Sequence, residues 1–311
     1  MQLRQIVPTI LLVTLLGVGV FFVFWNFKVE KPPTVFNKNN SEQQRAFILP
    51  ISETNYLPIR NFNIAEPVID AKAAILFDSR SGRVLYSLNS NQRLPIASIT
   101  KLMSAVVILE NMSLDQIYTI PIEDVNVDGL GVDLYKDEQF HGKDLFKIML
   151  IKSSNDAAST FATTANKSGI DFIGKMNEKA VSLRMTDTVF TNSAGLDDHD
   201  AFSTAADLVK LVNYIRKYDI IWETLRIKST EVLSLNKISH HLINTDQLLG
   251  EIPRIIGGKT GYTNTALGTM VLLVGLNDNK DSIISVILGS NNRFGETKKL
   301  IDWGERAYSW K

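Results

Sequence analysis

Hydrophobic and polar positions along the chain predict a strand-rich region at each end of a folded domain. The runs AAILFD (73–78) and RVLYSL (83–88) are typical of strands, and the SRSG between them indicates a hairpin. GTMVLLVGL (268–276) and SIISVILGS (282–290), separated by a polar NDNKD, give the same signal near the C-terminus.

Between these two hairpins, apolar residues recur at helical spacing. Helices are predicted at 98–112, at 143–151, from 157 onward, at 171–183, at 204–218 with Ser203 or Thr204 as the cap, and at 293–310. Short strands and turns are expected over 115–140. Strands at both ends with helices between them indicate an α+β domain whose terminal strands share one antiparallel sheet.

The N-terminal run 6–27 is apolar almost throughout and has about the length that crosses ~30 Å of hydrocarbon, so it predicts one transmembrane helix. A cleavable signal peptide has a shorter apolar core of about 7 to 15 residues and a small-x-small site, which we do not find in this segment. We therefore expect a cytoplasmic tail (1–5), the membrane anchor, a polar linker (28–65) and an extracytoplasmic folded domain (66–311).

Composition removes several classes of function. Lys plus Arg and Asp plus Glu both number 33, so no basic excess argues for a nucleic-acid partner. Cysteine is absent, which excludes disulfides, thiolate zinc sites and a cysteine nucleophile.

Three short motifs carry the candidate chemistry. SITK (98–101) places Ser98 and Lys101 on one face of a helix start, where their side chains can meet. Ser-x-x-Lys alone is a weak signal, but it is followed by SSN (153–155) at a helix break and by KTG (259–261) at the start of the C-terminal strands. This order of motifs is typical of penicillin-binding proteins and class A β-lactamases, and the combination is far more specific than any member.

On these motifs, and on longer runs such as MTDTVFTNSAGLDD and RFGETKKLIDWG, the sequence over about 71–310 resembles the D-alanyl-D-alanine carboxypeptidases and related endopeptidases of the S11 serine peptidase type. The resemblance implies a β-lactamase/transpeptidase-like fold with a helical subdomain between the terminal strands. It also implies removal of the terminal D-alanine from peptidoglycan stem peptides through an acyl-serine intermediate, and covalent binding of β-lactams. Neither a metal nor another cofactor is expected.

In this family pattern Ser98 is the nucleophile and Lys101 is its base. A serine hydroxyl attacks a carbonyl only when a neighbouring base takes its proton. Lys101 accepts a proton only in its neutral form, which burial and a nearby cation such as Lys259 favour. Ser153 is expected to relay the proton to the leaving group.

The same pattern assigns substrate contacts to four further residues. Asn155 is expected to hold the substrate through its amide, and Lys259 and Thr260 are expected to face the terminal carboxylate. A side chain at Gly261 would stop the substrate from lying alongside the strand. By analogy, the backbone N–H groups of Ser98 and Tyr262 form the oxyanion hole.

Three alternatives remain open at the level of sequence. A D,D-endopeptidase would use the same catalytic groups. A class A β-lactamase adds a carboxylate base in Glu-x-x-Leu-Asn, and no Glu-x-x-x-Asn occurs in this chain. A catalytically idle cell-wall binding domain would commonly have lost at least one of the residues that carry the chemistry. All five are present here: Ser98, Lys101, Ser153, Asn155 and Lys259.

Other polar residues are interpreted as structural. The loop Asp197-Asp198-His199-Asp200 lacks a partner His-x-x-x-His and is expected to be solvated, and His240 and His241 are expected at the surface. The sequence departs from the family pattern at Leu267, where an Ala-Gly pair is common, and at Asp246, where Asn-x-Asn is common. Both departures bear on how the substrate carboxylate is held.

Overall fold

The computed structural model describes residues 57–127, 134–276 and 281–310. The predicted tail (1–5), the predicted membrane helix (6–27) and most of the predicted linker (28–65) lie outside these residues. Among the described residues, none of the helices combines the length and the apolar character needed to cross a bilayer.

A five-stranded antiparallel sheet forms the centre of the domain, with the strand order β3-β2-β10-β9-β8. Its strands are β2 (Ala73–Asp78), β3 (Val84–Leu88), β8 (Ile255–Thr263), β9 (Leu267–Leu276) and β10 (Asp281–Ser290). Strand β2 pairs with β10, so the N-terminal and C-terminal hairpins share one sheet as the sequence predicts. Strand β8, which carries the KTG motif, lies at one edge.

The helices between the two hairpins occur close to the predicted positions. They are α1 (Lys101–Asn111), α2 (Gly142–Lys147), α3 (Asn155–Lys167), α4 (Phe172–Ser182), α5 (Ala205–Ile215) and α6 (Asp219–Leu225), and α7 (Arg293–Ala307) follows β10. The hydroxyl of Thr204 accepts a hydrogen bond from Asp207 N and caps α5, as the sequence suggests. Helix α6 was not predicted, because it is only seven residues long and follows α5 after a short turn.

Three small pairs of strands complete the fold. They are β1 (Ile59–Arg60) with β11 (Tyr308–Ser309), β4 (Ile117–Thr119) with β5 (Gln139–His141), and β6 (Ser229–Leu233) with β7 (Ser239–Ile243). Strand β1 lies within the predicted linker, and β11 lies within the predicted last helix. The two ends of the described domain therefore pair with each other.

Both faces of the sheet are buried. On β2, Ala73 and Ile75 face the helices of the central region, whereas Ala74 and Leu76 face α7. This period of two is the geometry of a strand, and burial on both faces explains why the sheet segments are apolar almost throughout. Trp303 of α7 is fully buried against the second face.

Two departures from regular helix occur where the motifs lie. The first motif begins in a 3-10 turn (Ala97–Thr100) before α1. Helix α2 continues as a π turn (Ile148–Lys152), which ends at Ser153. The sequence had predicted one uninterrupted helix in each place, because the local pattern of apolar residues does not distinguish these helix types.

Candidate active site

Ser98 and Lys101 lie at the junction of the 3-10 turn and α1, where a spacing of three residues brings them together. The Lys101 ammonium donates to Ser98 Oγ at 2.9 Å, to Asn155 Oδ1 at 2.6 Å and to the carbonyl oxygen of Ala194 at 2.7 Å. Lys101 is fully buried, whereas Ser98 is partly exposed. The pair therefore consists of an accessible hydroxyl and an amine that is shielded from water.

The turn that carries Ser98 is held by its neighbours on both sides. Ala97 adopts a left-handed backbone with a φ of +48°, which is unfavourable for a residue with a side chain. Thr269 Oγ1 donates to the carbonyl oxygen of Ile96 at 3.1 Å, and a Cβ on Gly195 would overlap the carbonyl oxygen of Ala97. Strand β9 and the loop at 192–197 thus fix the position of the nucleophile.

Ser153 and Asn155 flank the break between the π turn and α3. Ser153 is left-handed, with a φ of +64°, and ends the first element. The hydroxyl of Ser154 accepts a hydrogen bond from Ala157 N and caps the next helix, which begins at Asn155. The reversal places the Asn155 side chain against Lys101 and the Ser153 side chain against Lys259.

Lys259 projects from edge strand β8 and is almost completely buried. Its ammonium donates to Ser153 Oγ at 2.7 Å and to the carbonyl oxygen of Thr260 at 2.9 Å. Burial lowers the pKa of Lys259 to about 7, the positive charge of Arg293 adds to this effect, and the Asp246 carboxylate opposes it. Lys259 and Ser153 therefore meet where the end of the π turn contacts the strand.

Thr260 and Gly261 are adjacent on β8 but contact different parts of the protein. Thr260 Oγ1 donates to Thr245 Oγ1 at 2.6 Å. A Cβ on Gly261 would lie 2.5 Å from Thr269 Oγ1 and 2.9 Å from Ser98 N. The expected reason for this glycine therefore needs correction, since a side chain would project into the protein against the nucleophile turn and not toward a strand of substrate.

The two predicted oxyanion donors lie on adjoining elements. Ser98 N is one of the atoms that a Cβ on Gly261 would contact, and Tyr262 follows Gly261 on β8. Tyr262 is itself 59% exposed. Close packing of the 3-10 turn on β8 thus brings Ser98 N to the strand segment that contains Tyr262.

Sequence reasoning did not identify three contributors to the site. Ala194 supplies a carbonyl acceptor to Lys101, and Asn192 organises its loop by accepting hydrogen bonds from the N–H groups of residues 194, 195 and 196. Arg293, at the start of α7, lies close enough to affect the charge of Lys259, and burial lowers the pKa of its guanidinium. The runs TNSAGLDD and RFGETKKL were noted as family-like, but neither indicates which atom faces the site.

The remaining polar residues of the sequence analysis lie elsewhere. Asp198, His199 and Asp200 form an exposed cluster in which His199 contacts both carboxylates. The surface position predicted for His240 is wrong, because it is only 10% exposed and its Nε2 lies 2.7 Å from Oε1 of buried Glu138. His241 is exposed.

The arrangement is suited to acyl transfer through a serine. It combines a hydroxyl bonded to a buried amine, a second buried amine at a neighbouring strand, and an additional cation nearby. Strand β8 lies at the edge of the sheet, so its outer side is available to an extended peptide.

Comparison with known proteins identifies the family. Residues 60–292 match the peptidase S11 family model, which is described as D-alanyl-D-alanine carboxypeptidase. The chain is 33% identical to the D-alanyl-D-alanine carboxypeptidase DacC of Escherichia coli over 79% of this chain and 64% of that protein. It is 36% identical to a D-alanyl-D-alanine endopeptidase of Haemophilus influenzae over 71% of this chain and 76% of that protein.

A solved structure supports the same assignment. Penicillin-binding protein D2 from Listeria monocytogenes, in its cefotaxime-bound form, is 30% identical and superimposes with a TM-score of 0.67, covering 78% of this chain and 99% of that one. The chain spans just under two thirds of the carboxypeptidases DacC and DacF, at 64% and 63% of their lengths. The family model covers well over half of the chain, and the chain therefore belongs to the peptidase S11 family, the D-alanyl-D-alanine carboxypeptidases.

Proposed function

We propose that this protein is a serine-type D,D-carboxypeptidase that removes the terminal D-alanine from peptidoglycan stem peptides. The observation that carries the proposal is the hydrogen bond between the fully buried Lys101 Nζ and the partly exposed Ser98 Oγ, beside a second buried lysine on the edge strand. The family names of the relatives supply the substrate class.

The reaction begins when the neutral Lys101 amine takes the proton of Ser98 Oγ, which attacks the carbonyl carbon of the D-Ala-D-Ala bond. The N–H groups of Ser98 and Tyr262 stabilise the oxyanion, a contribution of about 3 to 4 kcal/mol for donors of this kind. The tetrahedral intermediate breaks its C–N bond, and the leaving D-alanine nitrogen receives a proton from Lys101 through Ser153. Water then hydrolyses the acyl-serine.

Lys259 and Arg293 provide the positive charge that receives the substrate's terminal carboxylate. Thr260 adds a hydroxyl beside them, and Asn155 orients the peptide while it also accepts a bond from Lys101. The same carboxylate is present in β-lactams, so the site is expected to bind them and to retain a covalent penicilloyl adduct.

D,D-endopeptidase activity on peptidoglycan cross-links is the second candidate. It is favoured by the 36% identity to an endopeptidase, which exceeds the 33% identity to DacC. Because both reactions use the same catalytic groups, a pentapeptide and a cross-linked dimer should be compared in one assay. Release of D-alanine from the pentapeptide alone supports the carboxypeptidase, and cleavage of the dimer supports the endopeptidase.

The primary test is an intact-mass time course of the full chain in detergent with benzylpenicillin. A lasting adduct of one penicillin per chain is expected, and Ser98→Ala should form none. Lys101→Ala should retain the fold, as judged by circular dichroism, and should lose at least about 100-fold in acylation rate because it lacks the base. Unmodified wild-type protein would refute the proposed activity and would favour an idle binding domain. Near-normal acylation of the lysine variant would instead refute the role of Lys101 as the base.

We further propose that the apolar run 6–27 anchors the protein in the cell membrane, with the catalytic domain on the extracytoplasmic side. The length and apolar character of the run support this topology. Full-length protein should fractionate with membranes and resist extraction at alkaline pH, whereas a variant without residues 1–27 should not. A protease added outside intact spheroplasts should digest the domain, and protection of the domain would reverse the orientation.

A further inference from the structure

Asp246 is a buried carboxyl group directly behind the KTG strand, and the mechanism above does not use it. Its side chain is 4% exposed, and Oδ1 accepts a hydrogen bond from Leu248 N at 2.9 Å. Oδ2 is buried and has no hydrogen-bond partner among the described residues.

The segment that carries Asp246 is fixed to three neighbouring elements. Asn244 Nδ2 donates to the carbonyl oxygens of Leu225 and Ile227, both at 2.9 Å, at the end of α6. Thr245 N donates to the carbonyl oxygen of Ile151 in the π turn, and Thr245 Oγ1 accepts from Thr260 on β8. The position of the Asp246 carboxyl group is therefore determined by the framework that also holds Ser153 and the edge strand.

The free oxygen of Asp246 lies against the strand just before Lys259. A Cβ on Gly258 would be only 2.7 Å from Asp246 Oδ2, so the glycine allows the carboxyl group to approach the backbone at this point. The carboxyl group therefore lies against the backbone one residue before Lys259, and both side chains are buried. Charges in a buried region of low dielectric constant interact more strongly than they would in water.

We infer that Asp246 is a positioning residue that keeps Lys259 in its charged form and so sets the pH range over which the site retains a substrate carboxylate. This inference rests on the proposed function, in which Lys259 binds that carboxylate. An ammonium has three N–H donors, and Lys259 uses two of them on Ser153 and Thr260. The third is the donor that a substrate carboxylate would engage.

The charges that surround Lys259 oppose one another. Arg293 approaches it from the start of α7 and disfavours the ammonium, whereas Asp246 favours it from the segment before β8. Lys101, on α1, is bound to Ser98, Asn155 and Ala194. Burial raises the pKa of Asp246 to about 6, which the Leu248 hydrogen bond and the Lys259 charge oppose.

The ionisation of Asp246 and Lys259 determines the direction in which the Lys259 titration moves when Asp246 is replaced. The Asp246 carboxylate is ionised above about pH 6, and Lys259 retains its proton below about pH 7. Replacement of Asp246 by an uncharged residue removes a negative charge that supports the ammonium. Lys259 then loses its proton at a lower pH, and the affinity for a carboxylate declines from that lower pH.

The experiment compares wild-type protein with Asp246→Asn, which is isosteric and can still accept from Leu248 N. Lysine side-chain NMR of the full chain follows the titration of Lys259, with the signal assigned by Lys259→Arg. We expect the Asp246→Asn titration to move to lower pH by about one unit. An unchanged titration would overturn the inference. If Asp246→Asn does not fold, Asp246→Ser serves in its place, because a hydroxyl can also accept from Leu248 N.

Asp124→Asn is the matched control. Asp124 is also a buried carboxyl group whose pKa is raised by burial, and one of its oxygens likewise lacks a hydrogen-bond partner among the described residues. It interacts with Ser159 and Thr163 of α3 and is not among the charges that affect Lys259. The Lys259 titration should remain at its wild-type position in this variant, and an equal shift there would contradict a specific role for Asp246.

A functional readout completes the test. The acylation rate with benzylpenicillin is expected to fall at high pH, and in Asp246→Asn this fall should occur at a pH lower by the same amount as the Lys259 titration. Penicillin methyl ester lacks the carboxylate and should show no such shift. An equal shift with both reagents would overturn the carboxylate role. If wild-type protein forms no adduct, the proposed function fails, but the NMR titration still decides whether Asp246 controls the charge of Lys259.

Discussion

At the scale of single residues, the two buried lysines of the site differ in their surroundings. Burial of an ammonium is costly unless hydrogen bonds replace its water, and each lysine has such bonds. Lys101 is bound by oxygen atoms from three separate elements. Lys259 donates to Ser153 and to the Thr260 carbonyl oxygen, and its charge is disfavoured by Arg293 and favoured by Asp246.

Gly261 provides a direct test of packing at the nucleophile. In Gly261→Ala the added methyl group would contact Ser98 N and Thr269 Oγ1, so the turn that carries Ser98 must move. We expect the penicillin acylation rate to fall at least about 10-fold, because small displacements of reacting groups are costly. The unfolding free energy should fall by about 1 to 3 kcal/mol in urea titrations.

Gly82→Ala is the control for Gly261→Ala, because it adds backbone strain without a steric contact. Gly82 has a φ of +72° and nothing within 4 Å of its added Cβ. That variant should lose about 1 to 2 kcal/mol of stability while its acylation rate stays at the wild-type value. A wild-type acylation rate in Gly261→Ala would show that the turn tolerates the methyl group.

At the scale of elements, irregular segments form most of the site. The π turn ends in a left-handed serine, the 3-10 turn begins with a left-handed alanine, and the loop at 192–197 packs against that turn. The 3-10 turn and the loop are stabilised by side-chain hydrogen bonds to backbone groups: Thr269 donates to the Ile96 carbonyl oxygen, and Asn192 accepts from three backbone N–H groups. The chemistry is thus concentrated where regular helices are interrupted.

Asn192 is the residue on which the loop conformation depends. Asn192→Ala removes the acceptor of three backbone N–H groups, next to the Ala194 carbonyl that binds Lys101. We expect at least about a 10-fold slower acylation, since each such bond contributes about 0.5 to 1.5 kcal/mol. Stopped-flow acylation measures the effect.

Asn111→Ala is the control for this prediction. Asn111 lies at the end of α1 and donates to the carbonyl oxygen of Val107. Its loss should lower stability slightly and leave acylation unchanged. If both asparagine variants acylate equally fast, the loop does not depend on Asn192.

At the scale of the whole molecule, the sheet separates two apolar layers. The helical layer contains the nucleophile turn, and the other layer is formed by α7 against β2, β9 and β10. Trp303 is the largest buried side chain of the second layer, with edge-to-face contacts to Tyr86 at 5.7 Å and Tyr308 at 5.8 Å between ring centroids. This layer supports the sheet without contributing motif residues.

Trp303→Ala should therefore destabilise the domain without altering its chemistry. A loss of about 3 to 5 kcal/mol in the unfolding free energy is expected from the cavity and the lost burial. The acylation rate of the folded fraction should remain within about twofold of wild type. Trp310→Ala, at a partly buried position near the C-terminus, should cost less. A large fall in the acylation rate of folded Trp303→Ala would show that the two layers are coupled.

The sequence by itself determined the strands of the main sheet, most of the helices and the three motifs. These features are local: apolar runs specify buried strands, helical spacing specifies amphipathic helices, and SITK, SSN and KTG are each contiguous. The order of the motifs was sufficient to identify the family. The cap at Thr204 likewise follows from the residue types at that helix start.

Only the tertiary structure decided how these pieces meet. Lys101 is bound by the carbonyl of Ala194, and the charge of Lys259 is affected by Arg293 and Asp246. The local pattern of apolar and polar residues does not predict contacts between residues so far apart in sequence. Tertiary packing also determined that a side chain on Gly261 would point into the protein and that His240 is largely buried. It likewise determined the pairing of Ile59–Arg60 with Tyr308–Ser309. Local pattern specifies which element a residue occupies, whereas electrostatics and close packing between distant elements determine what that residue can do.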